Sequence, residues 1–129
     1  MTTHPIDLGG ALRAAIEGEV VLPGDDTWDS ARQAWNLAAD QRPEAVVFPT
    51  GSDDVKAAID AAREAGLRVA AQGTGHGAPG GTRSLDGTLL LNMARLTGFG
   101  VDAGTRTARV EAGVVWAPVV AAAEAHGLA

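Results

Sequence analysis

A glycine-rich segment with a single histidine, residues 72–81, directly follows a short apolar run at residues 67–71. Five of the nine residues from Gly73 to Gly81 are glycine, and His76 lies among them. Because glycine adopts positive φ angles and has no Cβ, such a loop can turn sharply and approach a ligand closely. Successive free N–H groups in a loop of this kind can bind an anion. The segment therefore predicts an anion-binding loop that carries one imidazole.

The pattern of this loop leaves two interpretations open. It has neither the G-x-G-x-x-G spacing of a Rossmann turn nor the Lys-Ser/Thr ending of a P-loop. It is either a ligand-binding loop or a long glycine-rich connection in which His76 is incidental. No other histidine and no carboxylate lies within a few residues of His76, so the sequence predicts no metal site there.

Composition limits the classes of function. With 129 residues, of which 46% are hydrophobic and 20% charged, the chain predicts one globular domain. Its net charge of −6 and scattered basic residues argue against a nucleic-acid partner. The absence of cysteine excludes disulfides, thiolate catalysis and cysteine-ligated metals in this chain. Neither a signal-peptide pattern nor a run of about 20 apolar residues is present, so we expect a cytoplasmic protein with no membrane contact.

Hydrophobic periodicity and turn residues predict an α+β fold. The expected elements are a helix and loop in residues 1–24, a second helix starting at Asp26 or Thr27 and including Trp35, a buried strand at 45–48, a helix capped by Ser52, a buried strand at 67–71, a strand at 88–93, a hairpin with strands at 98–101 and 107–111, and a final helix at 116–126. The unit at 45–71 predicts parallel strands joined by a right-handed crossover. This order of elements differs from the regular alternation of an α/β fold.

Two further sets of side chains have a structural interpretation. Aromatic residues are only 4% of the chain, so we expect Trp28, Trp35 and Trp116 to be the large pieces of a core of Ala, Val and Leu. The carboxylates of Asp53 and Asp54 follow Ser52, in the first turn of a helix, where the helix dipole favours negative charge. The similar cluster of Asp25, Asp26 and Asp29 is interpreted in the same way, not as a cation site.

Several segments together, in this order, resemble one family of flavoproteins. The matching segments are Asp25-Asp26-Thr27-Trp28 with Trp35-Asn36, residues 42–50 (RPEAVVFPT), residues 67–77, residues 89–96 (LLLNMARL) and residues 107–116 (TARVEAGVVW). They resemble the start of FAD-linked oxidoreductases with the p-cresol methylhydroxylase or vanillyl-alcohol oxidase (PCMH-type) fold. The most similar branch contains berberine-bridge-enzyme-like and 6-hydroxynicotine-oxidase-like proteins. The resemblance extends over roughly residues 20–129, and an ordered set of motifs is more specific than a glycine loop alone.

The resemblance assigns roles to the glycine-rich segment. It implies that backbone N–H groups of this loop bind the FAD pyrophosphate, and the matching residues are Gln72, Gly73, Thr74, Gly75, His76 and Gly77. It also implies that His76 bonds covalently to the 8α-methyl carbon of the flavin. Many members of the family have a second bond through a cysteine, which this chain lacks.

The resemblance also implies how this chain relates to a complete enzyme. Residues 25–129 match part of a PCMH-type FAD-binding domain, and residues 1–24 are an N-terminal helix and loop. A second flavin loop and a substrate domain with the catalytic base are expected after residue 129, so no catalytic residue is predicted here. The expected function is to bind FAD in an oxidoreductase that oxidises a small organic substrate by hydride transfer.

Two other functions remain open at this point. One is a short, non-catalytic domain of the same fold that forms homo-oligomers through exposed sheet edges and apolar surface. The other is a module that binds ADP or phosphate without flavin, which depends on the glycine loop alone.

Overall fold

The computed structural model describes residues 6–129, and it describes the side chains of all of these except residues 81–83. Residues 1–5, which the prediction for the N-terminal helix and loop includes, lie outside this part. The elements are α1 (Leu8–Ala15), β1 (Glu19–Val21), α2 (Trp28–Ala31), β2 (Ala39–Gln41), β3 (Ala45–Phe48), α3 (Ser52–Glu64), β4 (Arg68–Gln72), β5 (Gly81–Ser84), β6 (Thr88–Asn92), β7 (Phe99–Asp102), β8 (Thr107–Val110) and α4 (Trp116–Glu124). A short 3₁₀ turn, Met93–Arg95, follows β6. This mixture of helices and sheets confirms the predicted α+β fold.

The four-stranded sheet has the order β1-β3-β6-β4. Both β3 and β4 pair in parallel with β6, and β1 is antiparallel to β3. The predicted parallel strands are therefore present, with β6 inserted between them. Because parallel strands point the same way, the carboxyl ends of β3, β6 and β4 lie at one edge of the sheet. Two smaller sheets complete the fold: a parallel pair of β2 with β5, and the predicted antiparallel hairpin of β7 with β8.

The core lies on both faces of the four-stranded sheet. On one face, Leu12 of α1 and Ala58 and Ala62 of α3 join a buried cluster with Val47 and Leu89. On the other face, a second cluster contains Val21, Ala31, Val46 and Leu90. Since neighbouring residues of a strand point to opposite faces, strands covered on both sides are apolar without alternation. This explains the continuous apolar runs of β3 and β6.

The expectation that all three tryptophans build the core is wrong. Trp28 packs against the second cluster, but Trp35 and Trp116 are 68% and 66% exposed. The helix expected to reach Trp35 ends at Ala31. The backbone N–H of Trp35 instead donates to the carbonyl of Thr74 at 2.9 Å, so this segment pairs with a distant loop and cannot continue the helix.

Strand β4 is also less buried than the apolar run at 67–71 predicts. Only Gln72 of this strand is buried, and Val69 is 39% exposed. The strand lies at the edge of the sheet, next to β6 alone, so it does not have the environment of a central strand. Strands β1, β2 and β5, of three or four residues each, were not predicted because such short segments show no clear periodicity.

The start of α3 differs from its prediction in the residue that caps it and in the role of one carboxylate. The N-cap is Gly51, with no side-chain cap bond, and Ser52 is the first helical residue. Asp54 is only 4% exposed and accepts hydrogen bonds from the backbone N–H groups of Glu17, Gly18 and Thr50 at 2.9, 3.0 and 2.9 Å. It therefore joins two parts of the backbone, the loop after α1 and the turn before α3, in addition to its favourable position in the first turn of the helix.

Candidate functional site

A cleft of about 440 Å³ opens where β4 leaves the sheet and enters the glycine-rich loop, here defined as residues 73–80. Ligands of open sheets with parallel strands commonly bind outside the carboxyl ends of the strands, and this cleft has that position. The structure brings all six predicted site residues to it: Gln72, Gly73, Thr74, Gly75, His76 and Gly77. Gln41, Leu85 and Leu90 are among the other lining residues, and the two leucines make part of the lining apolar.

A buried amide pair holds the start of the loop. Gln41 and Gln72 are 6% and 8% exposed, and Nε2 of Gln41 donates to Oε1 of Gln72 at 2.8 Å. Nε2 of Gln41 also donates to the carbonyl of Arg32, and Nε2 of Gln72 donates to the carbonyl of Gln33. Both side-chain amides are thus engaged by the protein itself. The side chain of Gln72 therefore anchors β4 to the segment after α2.

Gly75 packs directly against that same segment. Its φ angle is +74°, and a Cβ at this position would lie 2.7 Å from Cβ of Ala34. Its carbonyl accepts a hydrogen bond from the N–H of Asn36 at 3.3 Å. Glycine is required here for both reasons, the left-handed backbone and the close approach.

Asn36 closes the turn of the loop that contains His76. Its Nδ2 donates to the carbonyl of Ala78 at 2.7 Å, while the N–H of Ala78 donates to the carbonyl of Gly75 at 3.1 Å. Its Oδ1 accepts from the N–H of Ala38. One asparagine therefore links both ends of a four-residue turn to the chain after α2.

His76 is exposed at the cleft, and its ring is held on one side only. Its Nδ1 lies 2.8 Å from Oγ1 of Thr74, and its backbone N–H donates to the same oxygen at 3.3 Å. Within the part of the chain that the structure describes, Nε2 has no hydrogen-bond partner. The imidazole is therefore oriented by its neighbour and open at its outer nitrogen.

An ion-pair network supports the site from the side of α2. Arg32, with 18% of its side chain exposed, pairs with Asp29 and with Asp40 and also donates to the carbonyl of Gln41. The hydrogen bonds from Arg32 and then Arg42 hold the pKa of Asp40 below its usual range. The same bond to Asp40 raises the pKa of Arg32. The segment that bears Gln41 is thereby fixed by charged as well as neutral groups.

The chemistry of the cleft suits an anionic cofactor held by peptide dipoles. Among the lining residues whose side chains are described, His76 is the only ionisable one. The backbone N–H groups of Gly75 and Gly77 have no acceptor among residues 6–129, and a Cβ at Gly77 would meet nothing within 4 Å. Free N–H groups in a glycine loop bind phosphate oxygens. The described residues contain no group of three or more His, Asp or Glu side chains placed to hold a metal ion. Residues of this loop therefore fit a pyrophosphate.

Three residues that contribute to the site, Gln41, Asn36 and Leu85, were not among the predicted site residues. Gln41 lies in a three-residue strand, and its partner Gln72 is 31 residues away, so no local pattern marks it. Leu85 has a φ angle of +69°, which is unusual for a residue other than glycine. The short Trp35-Asn36 match was the one signal in the sequence that could have indicated Asn36.

Comparison with known proteins places this chain and its fold in a class of flavoproteins. A family model described as an FAD binding domain matches residues 43–129, which is more than half of the chain. The chain therefore belongs to the FAD binding domain family, in the branch of PCMH-type FAD-linked oxidoreductases that contains 6-hydroxynicotine oxidase and berberine-bridge-enzyme-like proteins. Its cofactor class is FAD.

Two curated relatives belong to this group. The chain is 29% identical over 119 residues to (R)-6-hydroxynicotine oxidase of Paenarthrobacter nicotinovorans, a match that covers 92% of this chain and 26% of that protein. It is 32% identical over 93 residues to glucooligosaccharide oxidase of Sarocladium strictum, covering 71% of this chain and 19% of the oxidase. The chain thus spans about a quarter or less of the length of these relatives.

Solved structures agree with the sequence relatives. A variant of the BBE-like 1 protein of Physcomitrella patens superposes with a TM-score of 0.75 at 28% identity, covering 92% of this chain and 26% of that one. Glucooligosaccharide oxidase of Acremonium strictum gives a TM-score of 0.69 at 28% identity, with 83% and 22% covered, and it has a 6-S-cysteinyl, 8α-N1-histidyl FAD. The fold of this chain is therefore the N-terminal part of the PCMH-type FAD-binding fold.

Proposed function

We propose that this chain supplies the first part of the FAD site of an oxidoreductase that oxidises a small organic substrate by hydride transfer. The observation that carries the proposal is the glycine-rich loop at the cleft. It combines free N–H groups at Gly75 and Gly77 with an exposed His76, in a chain of the FAD binding domain family. When bound, the flavin supplies the hydride-accepting ring.

In this proposal the chain's own residues bind and orient the cofactor. The N–H groups of Gly75 and Gly77 donate to the pyrophosphate, and the amide pair of Gln41 and Gln72 keeps the loop at the end of β4. The apolar side chains of Leu85 and Leu90 exclude water from the inner part of the cleft. The family relatives are oxidases of small molecules, so we expect an alcohol, amine or sugar-type substrate.

We further propose that His76 bonds covalently to the flavin. Its ring is exposed at the cleft, and a histidyl FAD is described for the glucooligosaccharide oxidase. That FAD also has a cysteinyl bond, for which this chain has no residue, so His76 would be the single attachment made by this chain. An imidazolyl substituent withdraws electrons and is expected to raise the reduction potential of the flavin.

Acid denaturation of the flavin-loaded protein tests both parts. The protein, in the full length that its gene encodes, is purified from flavin-replete cells and precipitated with acid. We expect a yellow pellet for the wild type and a colourless one for His76→Ala. His126→Ala is the matched control, because this exposed histidine lies after α4 and does not line the cleft, and its pellet stays yellow.

Two results would contradict the proposal. FAD that binds but leaves the wild-type pellet colourless rules out the covalent bond while retaining the FAD site. A wild-type protein that binds no FAD at all rules out the function itself.

A second candidate function is self-association, favoured by apolar side chains exposed on the C-terminal part of the chain. Phe99 and Val110 of the hairpin are each 40% exposed, and Trp116 and Val120 of α4 are 66% and 49% exposed. Light scattering of the 129-residue chain tests this directly. An oligomer that becomes a monomer in the Trp116→Ser, Val120→Ser double variant supports it, and a wild-type monomer at all concentrations refutes it.

A further inference from the structure

The hydroxyl of Thr74 contacts His76 twice. Its Oγ1 lies 2.8 Å from Nδ1 of the ring and accepts the backbone N–H of His76 at 3.3 Å. Thr74 is itself fixed, because its carbonyl accepts the N–H of Trp35 and because a β-branched side chain has few χ1 rotamers. The hydroxyl therefore has a defined position beside the ring.

These contacts make the two ring nitrogens unequal. A neutral imidazole has one nitrogen that carries a hydrogen and one that carries a free lone pair. Whether the hydrogen of the contact comes from Thr74 or from the ring, Nδ1 is occupied by Oγ1. Nε2, which has no partner among the described residues, is the nitrogen that remains for a ligand in the cleft.

We infer that Thr74 is a positioning residue that directs the flavin bond to Nε2 of His76, an inference that rests on the covalent attachment proposed above. In this reaction a methyl C–H bond of the flavin and an N–H bond of the imidazole are replaced by one C–N bond. The two hydrogens leave as two protons and two electrons, and dioxygen accepts them to give hydrogen peroxide. Thr74 would hold the ring through Nδ1 and so leave the outer nitrogen, Nε2, for the bond.

The inferred linkage differs from the one described for a relative. The FAD of glucooligosaccharide oxidase is 8α-N1-histidyl, and N1 in that nomenclature is the nitrogen called Nδ1 here. The family resemblance alone would therefore favour Nδ1. The contact with Thr74 favours the other nitrogen in this chain.

Nuclear magnetic resonance of the flavin-free, full-length protein tests the contact itself. Imidazole ¹⁵N correlations report which nitrogen carries the hydrogen, and His76→Gln assigns the signal. We expect one dominant tautomer in the wild type and in Thr74→Ser, and a mixture in Thr74→Val, which keeps the branched shape without the hydroxyl. Identical tautomer populations in the wild type and Thr74→Val would overturn the inference.

The flavin-loaded, full-length protein tests the choice of nitrogen. A flavinylated peptide released by protease places the 8α methylene near ring Hδ2 if Nε2 is bonded, and near the Hβ protons if Nδ1 is bonded. A nuclear Overhauser contact to Hδ2 supports the inference, and a contact to Hβ overturns it while leaving the attachment to His76 intact. A protein whose bound flavin is not linked to His76 refutes the attachment and the inference together.

The rate of attachment supplies a second measurement on the same variants. Apoprotein mixed with FAD in air should form the covalent bond about fivefold more slowly in Thr74→Val, the effect of losing one hydrogen bond. Thr74→Ser should restore the wild-type rate. Equal rates in the wild type and Thr74→Val would count against the role of the hydroxyl.

Discussion

Two loops follow parallel strands at the same edge of the sheet, and they satisfy their backbone N–H groups in different ways. The short turn between β3 and α3 is closed around the carboxylate of Asp54, which accepts from the backbone of Glu17, Gly18 and Thr50. The glycine-rich loop after β4 has no carboxylate at its centre. The N–H groups of Gly75 and Gly77 have no acceptor within the described residues.

The difference separates a structural turn, between β3 and α3, from the proposed ligand site in the glycine-rich loop. Peptide N–H groups that converge create a positive potential, which an anion must balance. At the turn between β3 and α3, here called the first junction, the chain itself provides that anion, the carboxylate of Asp54. At the second, neutral amides of Gln41, Gln72 and Asn36 hold the loop from outside and leave the potential available to a cofactor phosphate. A similar placement in the sheet therefore serves the fold in one case and, in the proposed function, cofactor binding in the other.

The largest effect on stability is expected at the first junction, where Asp54 accepts three backbone hydrogen bonds. Asp54→Ala leaves three converging N–H groups without their acceptor and should lower the free energy of unfolding by about 3 kcal/mol. Asp53→Ala is the control, since this neighbouring carboxylate is exposed and should change stability by less than about 1 kcal/mol. Urea unfolding of the two variants measures the difference. Equal losses would show that Asp54 acts only through the dipole of α3.

The same carboxylate predicts a dependence of stability on pH. Burial raises the pKa of Asp54, but the hydrogen bonds from Thr50, Glu17 and Gly18 outweigh it, so the pKa lies below the ordinary value of 3.8. The unfolded chain therefore binds a proton more readily than the folded one. The contribution of Asp54 to stability is complete at pH values above the ordinary pKa. It is lost as the pH falls through the lowered pKa of the folded protein.

Urea unfolding between pH 6 and pH 3, two values chosen to include roughly the ordinary carboxyl range, should show this loss. The stability difference between the wild type and Asp54→Ala should narrow as the pH falls. A difference that stays constant over this range would contradict the lowered pKa.

The sequence predicted the elements whose signals are local. The predicted helix after residue 51 forms and buries Ala58 and Ala62, and the apolar runs of β3 and β6 form the centre of the sheet. The exposure of β4 was not predictable, because its edge position depends on β6, which follows later in the chain and inserts beside it.

Prediction from the sequence has the same limit at the turn between β3 and α3 and at the glycine-rich loop after β4. The glycines and His76 indicated the candidate binding loop because their chemistry is visible in a short window of sequence. The groups that support it are distant in sequence: Asn36 bonds Ala78, and Gln41 bonds Gln72, 42 and 31 residues apart. Asp54 meets Glu17 and Gly18 across 37 and 36 residues. Such contacts follow from the tertiary fold and leave no periodic signal.

A pair of glycine variants separates folding from binding in the second loop. Gly75→Ala forces a side chain into a left-handed backbone and against Ala34, and should cost about 2 kcal/mol of stability. Gly77→Ala has no such contact and should keep the stability within about 0.5 kcal/mol. Its methyl group would nevertheless occupy the cleft beside the free N–H groups. We expect about tenfold weaker FAD binding by the full-length protein, equivalent to roughly 1.4 kcal/mol.

Unfolding measurements and titration with FAD provide the two readouts. If Gly77→Ala binds FAD as tightly as the wild type, the free N–H groups of this loop are not part of the site. If Gly75→Ala is as stable as the wild type, the loop does not require the left-handed backbone conformation at residue 75.

The smallest effect on stability is expected at Asn36, whose neutral side-chain amide holds the glycine-rich loop. Asn36→Ala removes the bond from Nδ2 to the carbonyl of Ala78 and should cost about 1 kcal/mol, the typical net contribution of one hydrogen bond. Trp35→Ala is the control. Its side chain is 68% exposed, and the backbone bond from Trp35 to Thr74 survives the substitution.

Hydrogen exchange of the loop amides distinguishes a local effect of Asn36 from a global one. If Asn36 acts as a clamp on the turn, the N–H of Ala78 exchanges faster in Asn36→Ala, while the amides of β6 change only by the small global loss. The full-length variant should then also attach flavin more slowly, since His76 lies within the turn that has opened. Unchanged exchange at Ala78 would mean that the turn is held by its glycines alone. The contrast with the Asp54 junction would then be stronger, because the binding loop would need no support from the chain after α2.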